Sequence, residues 1–167
     1  MDVHAGQLDL HLLTLEEAER LVHRQRLAHE TWAPGYPSFE QIDYLEAYLL
    51  ELRSPHPKDY WQAQLRRRID GLVVGGAGVT GPPDAGGAVV IGYELTAGMP
   101  DELYGVDILR ALIGVARTMG ATRVTASMGE GDDRREIYLG AGLEEVRRAH
   151  RVVHLARDVW TRLSLYS

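Results

Sequence analysis

Chemistry in a chain of this size must come from side chains that carry a proton, a nucleophile or a metal, and here the supply is narrow. There is no cysteine, which removes disulfides, thiolate zinc sites and a cysteine nucleophile. The seven histidines offer one His-x-x-x-His spacing, His150 and His154. His23 and His29 lie off a common helix face, and His150 and His154 would point the same way along one strand with no carboxylate cluster to complete a metal site. No metal is expected. A serine nucleophile finds no support either, because the sequence has no Gly-x-Ser-x-Gly elbow. The basic clusters Arg66-Arg67-Arg68, Arg134-Arg135 and Arg147-Arg148 are short, as solvated strand edges or helix faces are. With a formal net charge of −6, nucleic acid is not expected as a partner, since that binding is dominated by cationic contacts to phosphate. The acidic balance favours a cationic partner instead.

What remains for chemistry is carboxylates, tyrosines and backbone amides, and these act only where a scaffold holds them. The 167 residues, 45% hydrophobic and 25% charged, fit one domain over 1–167. A chain of that length buries roughly two-thirds of its unfolded surface. Met1-Asp2-Val3-His4-Ala5 lacks the basic start and apolar run of a signal peptide. No window reaches the roughly 18 apolar residues of a membrane span. A cytoplasmic protein without a membrane role is the expectation, monomeric or homodimeric.

Leu8-Asp9-Leu10-His11-Leu12 alternates as a first strand with its leucines on one face. Thr14 with Glu17, and Ser38 with Gln41, are capping boxes. The first opens a helix expected to run to about Leu27. The second opens one with Phe39, Ile42, Leu45, Leu49 and Leu52 on a stripe, ended by Ser54-Pro55-His56-Pro57. Tyr60 to Arg68 reads as a strand, Asp70-Gly71 as a hairpin turn, and Leu72 to Thr80 as its partner. The glycines of that partner predict something packed close against its backbone. After the Gly81 to Gly87 loop, Ala88 to Leu95 is the clearest strand of the sequence. Val106 to Met119 is an amphipathic helix closed by Gly120 in the C′ position. Arg123 to Met128 makes a strand–helix–strand unit, which should be parallel and right-handed. A short helix from about Asp133 to Leu139 and a hairpin over Glu145 to Val159 complete the chain.

In the middle of that order, Tyr60 to Arg68, Asp70-Gly71, Val74 to Gly78 and Ile91-Gly92-Tyr93-Glu94-Leu95 resemble the central meander of the GNAT (N-acetyltransferase) superfamily. The pattern is most similar to its ribosomal-protein N-terminal and small-molecule acetyltransferase branch. Tyr138-Leu139-Gly140-Ala141-Gly142-Leu143 resembles that family's closing Tyr-x-x-x-Gly-Phe element, with Leu143 for Phe. The resemblance runs from Leu8 to about His154. It implies an α/β (α+β) fold: one domain with a central mixed twisted sheet, an antiparallel meander, two splayed parallel strands and about four flanking helices.

The resemblance also implies an activity, acyl transfer from an acyl-CoA, in the first place acetyl-CoA, to a small-molecule or peptide amine. Pantetheine would add to the splayed strand Val89 to Leu95 as an extra strand does. Backbone amides around Tyr93 and Leu95 would polarise the thioester, and the diphosphate would sit on free amides of a loop from Pro100 to Asp107. The cofactor set is then Tyr93, Leu95, Leu103, Tyr104, Gly105 and Val106, with Arg135 toward a phosphate. Tyr138 stands where the family carries a tyrosine acid, against a reading as a core tyrosine. Glu94 stands where some relatives place a base, against a reading as a strand-end carboxylate. Trp32 and Tyr36, with Phe39, Tyr44 and Trp61 nearby, would line the acceptor pocket or simply pack under a proline-rich loop. The family's Arg/Gln-x-x-Gly-x-Gly/Ala pattern falls on Glu102-Leu103-Tyr104-Gly105-Val106-Asp107, acidic where a base is usual. That departure leaves an alternative: a GNAT-fold protein that no longer uses CoA in the usual way.

Overall fold

The computed structural model describes residues 2–54 and 60–160. Both capping boxes form. Thr14 and Glu17 exchange bonds of 3.2 and 3.1 Å to start α1 (Leu15–Val22), and Ser38 with Gln41 starts α2 (Phe39–Leu52). Helix α1 stops well before Leu27. His23 caps it, Arg24 turns to a left-handed φ of 55°, and Leu27 stays exposed. The prolines expected to end α2 lie outside the described residues.

Eight strands form one sheet: β1 (Asp2–Ala5), β2 (Leu8–Leu12), β3 (Tyr60–Arg67), β4 (Val73–Thr80), β5 (Ala88–Leu95), β6 (Arg123–Gly129), β7 (Glu144–Ala149) and β8 (Val152–Asp158), in the order β1-β2-β3-β4-β5-β6-β8-β7. Every neighbouring pair is antiparallel except β5 and β6. Strand β1 was not foreseen. It folds back on β2 across Gly6, and His11 Nδ1 meets Asp2 Oδ1 at 2.7 Å to hold the two together.

Two helices, α3 (Asp101–Thr118) and α4 (Arg135–Gly140), follow β5 and β6. The main core packs Ile108, Leu109, Leu112 and Ile113 of α3 against Val89, Ile91, Val124 and Leu155 of the sheet. A second cluster gathers Ala18, Leu21, Leu45, Tyr48 and Leu49 of α1 and α2 with Leu13, Tyr36 and Val73. Helix α3 ends in a Schellman turn: Gly120, at φ 83°, bonds back to Arg117 while Ala121 bonds to Ala116. The close packing expected against the β4 glycines comes from its neighbours. A Cβ on Gly78 would collide with the Gln62 amide, and one on Gly75 with the Glu94 carbonyl.

The parallel ladder is short. Only Ala88↔Arg123, Val89↔Val124 and Val90↔Thr125 pair, whereas β5 stays with β4 as far as Leu95 and β6 stays with β8 as far as Gly129. Beyond Val90 and Thr125 the two strands part. This is the splay expected over Val89 to Leu95.

Candidate active site

Successive strand side chains point to opposite faces, and β5 divides its duties accordingly. Val89, Ile91 and Tyr93 are buried in the core with α3, while Val90, Gly92 and Glu94 look the other way. There they line a cavity of about 280 Å³ together with Glu40, Gln41 and Tyr44 of α2, Tyr36, Gln62 of β3, Gly76 and Gly78 of β4, and Thr125 and Ser127 of β6. The gap between β5 and β6 opens this cavity toward α4, so that Tyr138 and Arg134 line it as well.

Local backbone chemistry fixes Tyr138. Helix α4 closes in a Schellman turn in which Gly142, at φ 92°, bonds to Leu139 O and Leu143 bonds to Tyr138 O at 3.1 Å. This accounts for the Tyr-x-x-x-Gly-Leu spacing: the glycine reverses the chain and returns buried Leu143 to the turn that carries Tyr138. Arg157 Nη1 bonds Ala141 O at 2.6 Å and seals the end. Tyr138 is 4% exposed and stacks on Tyr93, with ring centroids 6.0 Å apart. Burial pushes its phenol up to about 12, while the Arg134 guanidinium and the Tyr93 amide pull it down.

Glu94 is the second group. Ser38 Oγ donates to Oε1 at 2.9 Å, and Gln41 Nε2 donates to the Glu94 carbonyl at 3.2 Å, so one capping box also orients the carboxylate. Oε2 is buried and, among the described residues, has no hydrogen-bond partner. Burial raises the Glu94 pKa above the ordinary carboxylate range, neighbouring Glu40 adds to the rise, and Ser38 and Arg134 oppose it. A partly buried carboxylate with a bare oxygen in a cavity can take up a proton from a group that enters it.

Arg134 spans the splay. Its Nε and Nη2 bond Asp132 at 3.1 and 2.8 Å, Nη1 donates to the Tyr93 carbonyl at 3.0 Å, and the guanidinium lies 5.9 Å from the centroid of the Tyr93 ring. Sequence reading named it only beside Arg135. Ser38 and Gln41 were seen only as caps. Their partners lie 41 to 56 residues away, a separation that no local pattern reveals.

Tyr138, Glu94, Tyr93, Tyr36 and Tyr44 therefore meet at one cavity, and the other expected residues do not line it. Trp32 packs edge-on against Tyr36 at 5.5 Å with its indole N–H on Glu30. Phe39 is 82% exposed beneath Arg24, and Trp61 packs against the main core. The expected diphosphate loop is not a loop, because Asp101 to Asp107 form the first two turns of α3. Helical geometry points its residues apart. Tyr104 is buried in the core with its hydroxyl toward Arg67. Leu103 is half exposed, and Val106 and Leu95 pack against the core. Asp107 lies against the Gly6 turn. Gly105 serves packing, since a Cβ there would fall 2.5 Å from Ile137 Cγ2 and 2.7 Å from the Tyr93 hydroxyl. Arg135 pairs with Glu136 and Glu145 at 3.5 and 3.8 Å. Among the described residues no cluster of His, Asp and Glu could hold a metal, and no helix is long and apolar enough to cross a membrane.

No family model matches the sequence, and no curated protein matches it. Solved structures do match its shape. A ribosomal-protein-S5-alanine acetyltransferase from Vibrio fischeri superposes with a TM-score of 0.68 at 12% identity, over 95% of this chain and 96% of that one. A protein described as a nucleotide-linked sugar GNAT gives 0.67 at 11% identity over 95% and 90%. A variant of a spermidine N-acetyltransferase from Vibrio cholerae gives 0.63 at 10% identity over 92% and 95%. With the splayed pair at its centre and, among the described residues, four flanking helices, the chain has the fold of the GNAT acetyltransferases.

Proposed function

We propose that this chain transfers an acyl group from a pantetheine thioester, acetyl-CoA being the first donor to test, to the nitrogen of a small-molecule or peptide amine. The observation that carries the reading is the pair of groups in one cavity: Glu94 with an unpartnered buried oxygen, and buried Tyr138 showing through the gap between β5 and β6. The same unpartnered oxygen and the open strand edge beside it fit an amine acceptor and the arm of such a donor. The bound thioester supplies an electrophilic carbonyl and a thiolate leaving group. Glu94 takes a proton from the acceptor ammonium, which frees the nitrogen lone pair to form the new C–N bond as the C–S bond breaks. Its raised pKa suits it to that exchange. The Leu95 N–H, turned toward the gap by the same alternation that turns Tyr93 there, is the donor for the carbonyl oxygen as it gains charge. Tyr138 stays protonated at neutral pH and donates to the departing sulfur. Arg134 stabilises the phenolate that this transfer leaves behind, and the second proton of the acylated nitrogen passes to solvent as the phenol is restored. Glu40 beside Glu94 favours an acceptor with positive charge, and Tyr44 offers it an aromatic wall.

The test follows release of free thiol from acetyl-CoA and from S-acetylpantetheine against a panel of amines. Tyr138→Phe should lower kcat about 10²–10⁴-fold, the usual share of one acid, with donor affinity unchanged. Glu94→Gln should abolish the acidic limb of the kcat/KM profile. Failure of both donors to bind at millimolar concentration would sink the proposal.

A further inference from the structure

We infer that the donor is recognised along its pantetheine arm alone, so that thioesters lacking the nucleotide serve this chain as well as CoA does. The inference rests on the acyl-transfer reading above and concerns the other end of the same donor. Helix α3 begins six residues past the last residue of β5, at the mouth of the splay, where a helix start would ordinarily attract a diphosphate. This start is built against one. Pro100 is the N-cap, has no N–H to offer and makes no side-chain cap. The Leu103 N–H is spent on the Pro100 carbonyl at 3.1 Å. The two first-turn amides that remain belong to Asp101 and Glu102, each with its own carboxylate. Asp101 is fixed in place by the Tyr93 hydroxyl, which donates to its Oδ1 at 3.0 Å. Glu102 is exposed, and among the described residues it forms no ion pair.

The cations that could offset these acids are committed elsewhere. Arg134 is held by Asp132 and the Tyr93 carbonyl, and Arg135 faces Glu136 and Glu145. The first base along α3 is Arg110, about 12 Å of helix beyond Glu102. Gly105 is no phosphate glycine, because the space beside it is filled by Ile137 and Tyr93. The thioester end of the site thus fits its ligand, and the diphosphate end does not.

Titration calorimetry with acetyl-CoA and S-acetylpantetheine on the full chain tests this, with salt as the second variable. At low salt the two donors should bind within about threefold of one another. Raising salt from about 20 to about 300 mM shortens the screening length from roughly 20 Å to under 6 Å. Acetyl-CoA should then bind tighter, the reverse of a site that attracts its phosphates. Glu102→Arg, a reversal at an exposed position, should tighten acetyl-CoA about tenfold and leave S-acetylpantetheine within about twofold. Wild-type affinity for acetyl-CoA that exceeds S-acetylpantetheine by about 100-fold and weakens with salt overturns the inference while leaving acyl transfer intact. Absence of binding by either donor overturns both.

Discussion

Replacing Gly105 by Ala separates a glycine kept for a ligand from one kept for packing. Taken alone, Gly→Ala inside a helix stabilises by about 1 kcal/mol. Gly105 lies on α3 against α4, and the new methyl would meet Ile137 Cγ2 at 2.5 Å and the Tyr93 hydroxyl at 2.7 Å, inside any real carbon contact. Overpacking of that kind costs about 1–3 kcal/mol. Displacing the hydroxyl also breaks its bond to the Asp101 carboxylate, a charged-group bond of about 1.5–3 kcal/mol. The net is a loss of about 1.5–5 kcal/mol, which in a chain of this size lowers Tm by at least about 3 °C. Gly114 on the same helix is the control, because a Cβ there meets nothing within 4 Å. Gly114→Ala should raise Tm by about 2–4 °C. Thermal unfolding followed by circular dichroism reads both. If Gly105→Ala also raises Tm, the packing argument is wrong and that glycine is kept for something outside the folded chain.

Other substitutions probe the rest of the site. Glu94 has a folded pKa above its unfolded one, so the folded state holds the proton more tightly and stability falls as pH rises from about 4.5 through the raised value. Glu94→Gln should remove that fall, leaving a variant more stable than wild type at neutral pH in urea unfolding but about 10²–10⁴-fold slower; parallel stability profiles for the two proteins would refute the assignment. Gly142→Ala forces an L-residue to φ 92° beside Arg157 Nη1 at 3.0 Å, at a cost of about 1–2 kcal/mol for the left-handed backbone alone. Because that turn sets Tyr138, the variant should lose turnover beyond its loss of folded protein, as activity per folded molecule measured below its Tm would show.

Much of the scaffold was legible because local rules dictate it. The capping boxes at Thr14 and Ser38, the Asp70-Gly71 turn and the stop at Gly120 each depend on residues a few positions apart. The errors have local causes too. Strand β1 is an edge strand of mixed polarity held by pairs such as His11 with Asp2, and no alternation announces it. Helix α1 looked longer because apolar spacing continues, yet a left-handed Arg24 ends it. The start of α3 was the costly miss. Pro100, Asp101 and Glu102 are plain helix-start residues, but the family pattern suggested a loop, and a helix turns Tyr104 and Gly105 inward to the core. The candidate site was half legible. Resemblance named Glu94 and Tyr138, which line one cavity, whereas Arg134, Ser38 and Gln41 reach their partners only when the sheet brings distant segments together.

The alternation along β5 has a consequence for how such a protein can change. Residues 89, 91 and 93 answer to the core, and 90, 92 and 94 to the cavity. Substitutions at Val90, or on the facing positions Tyr44 and Thr125, can therefore reshape what the pocket admits while the packing set stays untouched. Pocket shape and foldability are inherited on separate faces of one strand. A lineage could drift among ligands without crossing an unfolded intermediate, and sequences as distant from one another as these could still keep a common backbone.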